Sequence, residues 1–326
     1  WNPTELATGM LKVEQAGYRN ADALTVMKAA AQAAAEEGIG LDEAANAVTS
    51  SLGDYHLRAD QAADVTSKIV EAVRLSKTTF AEFTSSLHNV APTAAAVGES
   101  LNDLLATLGM LTKSGMHPDQ ASQNLNHALS SLGNIQPKQR EMLAALGLDP
   151  RQIPQDIKSM GYIGTAQEIR SAVDRRLGPN GNVILDAFEN NPASQALEHE
   201  QYAKLNPAEK AVADRIMGGQ LSYKDFRKSR GGLGFTEARI VDQWATTHEN
   251  NQGFNRVLKS LNTDQLDVMQ ALQTAVGGQD NARTLLQVTD QNNPEAVKHR
   301  QEIADAHADP NGDVMEYKRS QENFNA

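Results

Sequence analysis

The chain has 326 residues, 40% of them hydrophobic and 22% charged, and its 30 Lys and Arg against 41 Asp and Glu leave a formal net charge of −11. Cysteine is absent, which excludes a disulfide scaffold, a thiolate nucleophile and Cys-ligated zinc. No window approaches 18 consecutive apolar residues, which argues against a membrane span. The acidic balance argues against tight general nucleic-acid binding, which needs phosphates neutralised by Lys and Arg, but not against DNA passing nearby.

The chain opens on Trp1-Asn2-Pro3 with no initiator Met and no signal-peptide pattern, so it is expected to be a piece of something longer. Residues 20–37 carry Leu24, Val26, Met27 and an Ala-rich run from Ala29 to Ala35, and Ala is the strongest helix former. Gly38 is placed to end that helix in a left-handed conformation. A second helix is expected from about Asp42, with Ala44, Ala45, Val48 and Leu52 on one face and Gly53 as its stop. Ala62, Val65, Ile69, Ala72 and Val73 repeat at helical spacing over residues 59–74.

The next stretch is sharper. Thr79 and Glu82 have the spacing of a capping box. Phe80, Phe83, Leu87 and Val90 follow at steps of three and four, and Pro92 is expected in the first turn of a new helix. Val97, Leu101, Leu104, Leu105, Leu108 and Leu111 then form one apolar stripe that Gly115 ends. A further helix opens at Asp119 and carries Leu125, Ala128, Leu129 and Leu132. The segment around Gly38 and Asp42 resembles that around Gly115 and Asp119, 77 residues on, while Ser51-Leu52-Gly53 resembles Ser131-Leu132-Gly133 at 80. This reads as a duplicated helical hairpin with an insertion of three. Two copies are too few to establish a solenoid.

From 134 to 185 prolines and glycines interrupt the chain, with short helices expected at 137–146 and 165–177, the latter opened by a Thr165–Glu168 capping box. Val183-Ile184-Leu185 fits a short strand or a helix start equally well. Asn206-Pro207-Ala208-Glu209 combines an N-cap, a first-turn proline and an N3 acid. Helices are expected at 207–217, 236–249, 251–260 and 263–275, flanked by double glycines at 218–219, 231–232 and 277–278. The last 30 residues are polar with sparse apolar anchors, Ile303, Val314 and Phe324, and their order is expected to depend on a partner. The expected fold is all-α: a multi-helix bundle of short Ala/Leu-rich helices with a duplicated hairpin, then a less compact helical region. The expected segments are a helical core at 1–133, a Gly/Pro-punctuated link at 134–200, a second helical domain at 201–300 and a polar tail at 301–326.

The sequence offers little chemistry. His199-Glu200 and His248-Glu249 lack the second His a turn later that a zinc peptidase helix needs. The eight His residues, among them His88, His117 and His127, form no readable ligand set and are assigned to polar helix surface. Asp309-Pro310-Asn311-Gly312-Asp313 superficially suggests a calcium loop, but Val314 stands where that loop needs Gly and Ser320 where it needs Glu. Gly38-x-Gly40 and Gly231-Gly232-x-Gly234 follow no strand and lack the Lys-Ser/Thr of a phosphate loop. Paired acids such as Glu36-Glu37 suit helix ends. No catalytic residue, metal or cofactor is expected. Two residue sets stand out. One is the packing stripe of Phe80, Phe83, Leu87, Val90, Leu101, Leu104, Leu105, Leu108, Leu125 and Leu129. The other is a basic cluster, Lys224, Arg227, Lys228 and Arg230 around Tyr223 and Phe226, which reads either as a solvated helix flank or as a contact for DNA or an acidic protein surface.

Residues 72–133 carry a resemblance. Phe80-Ala81-Glu82-Phe83, Leu87, Val90-Ala91-Pro92, Ala95, Gly98-Glu99-Ser100-Leu101, Leu108, Gly115, Ala121, Leu125 and Leu129 resemble the conserved core of phage tail tape measure proteins. A matching half precedes them in Gly38, Asp42-Glu43-Ala44 and Ala59-Asp60-Gln61-Ala62-Ala63-Asp64, and Leu146-Gly147-Leu148 fits the family's stop. A second block is similar to tape measures of phages of actinobacteria and related Gram-positive hosts: Gly253-Phe254-Asn255, Leu258-Lys259, Met269-Gln270-Ala271-Leu272, Gly277-Gly278, Leu285-Leu286 and Val297-Lys298. It departs from them at Thr289-Asp290-Gln291-Asn292, where Thr-Gly-Glu-Asn is usual.

The resemblance implies a virion structural protein of phage or prophage. It would act as scaffold and ruler for the tail tube, occupy the tail lumen after assembly in the host cytoplasm, and be released to assist genome delivery. It implies a homo-oligomer, with three copies favoured, whose copies bury Ala/Leu stripes against each other. Implied partners are the tail tube protein and the tail-tip and tail assembly proteins, with transient DNA contact and contact with the host envelope during ejection. The alternative is a host-directed helical protein-binding domain. A peptidoglycan hydrolase component is a more distant one, since none of its motifs is present.

Overall fold

The computed structural model describes residues 1–289, apart from the side chains of 191–193, and all regular structure among them is helical. Ile303, Val314, Phe324, the calcium-like run and most of the Thr-Asp-Gln-Asn departure lie outside the described residues. The described residues form two compact units, one of residues 1–172 with 271–289, the other of residues 173–270.

The first unit begins with α1 (Pro3–Gln15), α2 (Asn20–Glu37) and α3 (Leu41–Asp54). A short 3-10 turn at Ala59–Gln61 leads to α4 (Ala62–Leu75). Then come α5 (Phe80–Val97), α6 (Leu101–Lys113), α7 (Pro118–Gly133), α8 (Pro137–Ala145) and α9 (Ile153–Leu177). The duplication is larger than a hairpin. Pro3 and Phe80 open α1 and α5, Leu41 and Pro118 open α3 and α7, and both pairs are 77 residues apart. The same spacing relates two capping boxes, Asn2 with Glu5 and Thr79 with Glu82, each side chain accepting the other residue's backbone N–H. Such caps are each worth about 1 kcal/mol. Gly38 and Gly115, again 77 apart, both take positive φ, 68° and 100°, where a side chain would be strained. No insertion is needed: Leu52 of α3 falls on Leu129 of α7, not on Leu132, and Val48 falls on Leu125, all four fully buried.

Packing follows the repeat. α1 lies on α3 as α5 lies on α7, and α2 and α6 complete each three-helix set. The two sets join where α3 and α4 pack on α5 and α6. Each set also receives a closing helix against its last two helices. In the first it is α4; in the second it is α15 (Gln279–Val288), whose Ala282, Leu285, Leu286 and Val288 are fully buried. Each Leu so buried stabilises the unit by about 1.5–3 kcal/mol before ordering costs.

Two local expectations are corrected. Pro92 does not open a helix; α5 runs through it to Val97. A proline removes one N–H from the ladder, and here burial of Val90, Ala91 and Ala94 on the apolar face outweighs that loss. Thr165 is no cap but an interior residue of α9, its hydroxyl bonding the Gly161 carbonyl. The break in α9 lies at Gly161 (φ 71°, ψ 177°), a conformation reserved for glycine, where a Cβ would meet the Asp103 side chain. The orphan N–H of Tyr162 is then bound by both carboxylate oxygens of buried Glu99, at 2.8 and 3.1 Å, a cap supplied from 63 residues away. Residues 183–185, open between a short strand and a helix start, are the start of α10 (Gly181–Lys204).

The second unit holds α10, α11 (Pro207–Met217), α12 (Tyr223–Ser229) and α13 (Phe235–Lys259). α11 starts as its sequence dictates, the Asn206 side chain accepting from Ala208 and Glu209. α13 is one helix where two were expected, because Asn250 to Gly253 sit inside a continuous ladder. Its core gathers Leu205, Val212, Ile216, Phe226, Val241 and Trp244. α14 (Thr263–Ala275) starts in this unit and ends in the first.

Candidate functional site

The packing stripe comes first. Phe80, Phe83, Leu87 and Val90 on α5, Leu101, Leu104, Leu105 and Leu108 on α6, and Leu125 and Leu129 on α7 are all buried within one copy of the chain. Neighbouring copies are not needed to cover these rows. They are core, and what they position is the outer faces of the repeats.

Between α3 and α5 those faces leave a polar cleft of about 250 Å³, lined by Glu43, Asn46, Ser50, Asp54, Thr84 and His88. Asp54 Oδ2 lies 3.7 Å from His88 Nδ1. Burial pushes the Asp54 carboxyl above the usual carboxylate range, while His88 and His56 pull the other way. Burial, with Glu99, Asp54 and Asp103 nearby, pushes the Tyr55 hydroxyl well up. Among the described residues no group of three or more His, Asp and Glu is placed to hold a metal ion.

The basic cluster lies in the second unit. Lys224, Arg227 and Lys228 are exposed on α12, and Arg230 is its left-handed C-cap. The helix buries Phe226, which fixes the charged residues on the outer side. Arg227 sits 5.9 Å over the Tyr223 ring and 3.8 Å from Asp242 Oδ1. Tyr223 Oη donates to Asp242 at 3.0 Å and meets Thr246 at 2.7 Å. Burial and that bond to Asp242 push the Tyr223 hydroxyl up. The Gly231-Gly232 turn then brings Arg230 5.4 Å over Phe235, whose ring is 71% exposed. Phe226, Arg227, Arg230, Phe235, Arg239 and Asp242 line an open cleft of about 210 Å³. Three guanidinium groups beside an exposed ring can hold a carboxylate or phosphate. Sequence reading missed Phe235, Arg239 and Asp242, although 235, 239, 242 and 246 have the spacing of one face of α13.

A second polar group was misjudged. His248, assigned to polar surface, is buried: its ring stacks on Trp244 at 5.2 Å and its Nδ1 lies 2.6 Å from Glu198 Oε1. Asn251 donates to the other Glu198 oxygen and to the Ser194 carbonyl at 3.1 Å. These groups tie α10 to α13. The signal was available, since Trp244, His248 and Asn251 share a helix face, but the partner lies 50 residues away.

The apolar rows of these helices face their own core, and Phe235 beside Arg230 is an aromatic ring left on the outer surface. Among the described residues no helix is long and apolar enough to cross a membrane. The model of the phage-related minor tail protein family matches residues 1–197, about three fifths of the chain, and the chain belongs to that family. Over 128 residues, 39% of the chain, it is 28% identical to the tape measure protein of Pneumococcus phage Dp-1. Those residues are 11% of that relative, so the chain spans well under two thirds of its length. No solved structure matches.

Proposed function

We propose that this chain is a compact module of a phage tail tape measure protein, acting as part of the scaffold on which the tail tube is assembled. The similarity to the Dp-1 tape measure protein, within a chain of the minor tail family, carries this reading. On it, the protein occupies the tail lumen with other copies of itself, three being the favoured number. It meets the tube, tip and assembly proteins, and leaves ahead of the genome, with brief contact to DNA and to the host envelope. The short helices refine the role. A ruler gains length at about 1.5 Å per residue of extended helix, and the longest unbroken helix among the described residues, α13, has 25 residues within a folded unit. The module therefore serves attachment and assembly, and length is set elsewhere in the parent protein.

In-frame deletion of this segment from the phage gene, with tails measured by electron microscopy, tests both parts. Failure of tail assembly is expected. Tails shortened by roughly 490 Å, the full helical length of 326 residues, would make the segment a ruler. Normal tails would remove it from assembly altogether.

One observation favours a second reading, a host-directed binding domain: the exposed Phe235 ring beside Arg227, Arg230 and Arg239. Capture with purified tube protein against host extract separates the two. Retention of a host protein by the wild type but not by an Arg230→Glu variant supports the host-directed role.

A further inference from the structure

The repeat leaves its two ends open in complementary ways. Inside the chain, the outer face of α3 (Glu43, Asn46 and Ser50) meets the outer face of α5 (Ala81, Thr84 and His88). Seventy-seven residues earlier, α1 presents Thr4, Ala7 and Leu11 at the α5 positions, all exposed. Seventy-seven residues later, α7 presents Gln120, Gln123 and His127 at the α3 positions, also exposed. The lack of a cover on the first set is measurable. Leu6 is 43% exposed where its counterpart Phe83 is fully buried, and Leu24 is 64% exposed where Leu101 is 8%. Phe83 and Leu101 belong to the helices on which α3 and α4 of the preceding set rest.

We propose that a second copy of this chain docks here head to tail, its α7 face on the α1 face of the first, reproducing between molecules the α3–α5 junction within one. The occupant follows from the junction itself. The surface that fits an α5-type face is an α3-type face, and the exposed one in this molecule is that of α7. α15 leaves it open, because it takes the position against α6 and α7 that α4 takes against α2 and α3. Charge agrees. The internal junction contains Glu43 and Asp54 facing His88, whereas Gln120 replaces Glu43 and Leu11 replaces His88 at the open ends. The stripe of Thr4, Ala7 and Leu11 runs on to one exposed acid, Glu14, and Gln120, Gln123 and His127 oppose it with none, so the contact brings no two acids together. A contact between two different faces joins copies head to tail, into a ring where the rotation per copy closes and into an open series where it does not, so association passes beyond the dimer in either case.

Analytical ultracentrifugation of the whole chain over a concentration series tests this. The wild type is expected to associate beyond the dimer as concentration rises. Leu11→Glu and His127→Glu, both at exposed positions and so expected to melt like the wild type, should each weaken association at least tenfold. Leu24→Glu provides a second change at the first face. An equimolar mixture of Leu11→Glu and His127→Glu should form one dimer and stop, since each variant keeps one intact face. A wild type that stays monomeric, variants that associate like the wild type, or a mixture that stays monomeric would each overturn the proposal.

Discussion

Helices α1–α3 and α5–α7 follow one plan at a fixed spacing of 77 residues, yet they are closed by different means. The first set is closed by α4, which starts at Ala62 shortly after α3 ends at Asp54. The second is closed by α15, which begins at Gln279, long after α7 ends at Gly133, with the whole second unit between. A local closing helix forms with little loss of chain entropy; a remote one must overcome the closure of a long loop before its contacts form. The same architecture can therefore differ in how separable its parts are. The first set should hold together by itself, and the second should depend on sequence far downstream.

The comparison can be broken most directly at α15. Leu285→Asp places a charge in a fully buried site and should cost about 4 kcal/mol or more. Hydrogen exchange should then show protection lost in α6 and α7 before α1–α3. Equal loss in both sets would mean that they are one cooperative block. Next come the matched core positions. Leu52→Ala and Leu129→Ala should each cost about 2–5 kcal/mol, by similar amounts, in chemical denaturation. A large difference would show that the shared spacing does not reflect shared packing.

A smaller effect is expected at the buried cap of α9. Glu99→Ala leaves the Tyr162 N–H without its acceptor and should cost about 1.5–3 kcal/mol, with faster exchange of that amide. Unchanged exchange at Tyr162 would show that the carboxylate does not hold the break in α9. The smallest effect is at the junction between the sets. Burial raises the Asp54 carboxyl above its unfolded value, so its contribution to stability is fully present below the unfolded value and lost as pH rises through the folded one. Asp54→Asn should therefore melt higher than the wild type at pH 7, and the advantage should fade towards pH 3.5. An advantage independent of pH would locate its cause outside the ionisation of Asp54.

Much of the helical pattern was legible because it is local. The Asn206-Pro207-x-Glu209 start, the Thr79–Glu82 box and the Gly38 and Gly115 stops depend on residues within one turn of each other. The apolar rows from Phe80 to Leu129 announce burial by spacing alone. Reading failed where a distant group decides. Pro92 looks like a helix start until the burial of its neighbours is seen. Thr165 looks like a cap until Glu99 supplies the real one upstream. The basic cluster was visible as a run of charges, but its cleft needs Phe235, Arg239 and Asp242 from the next helix, across a glycine turn.

The sequence by itself determined the helices, their caps, the absence of cysteine chemistry and a repeating apolar rhythm, since each arises from backbone propensity and side-chain spacing within a few residues. Only the tertiary structure decided that the repeat spans three helices, that α15 closes the second set, that His248 is buried beside Glu198, and which helix faces remain open. Those outcomes depend on which surfaces meet, and pairing between segments far apart in the chain leaves no fixed spacing to read.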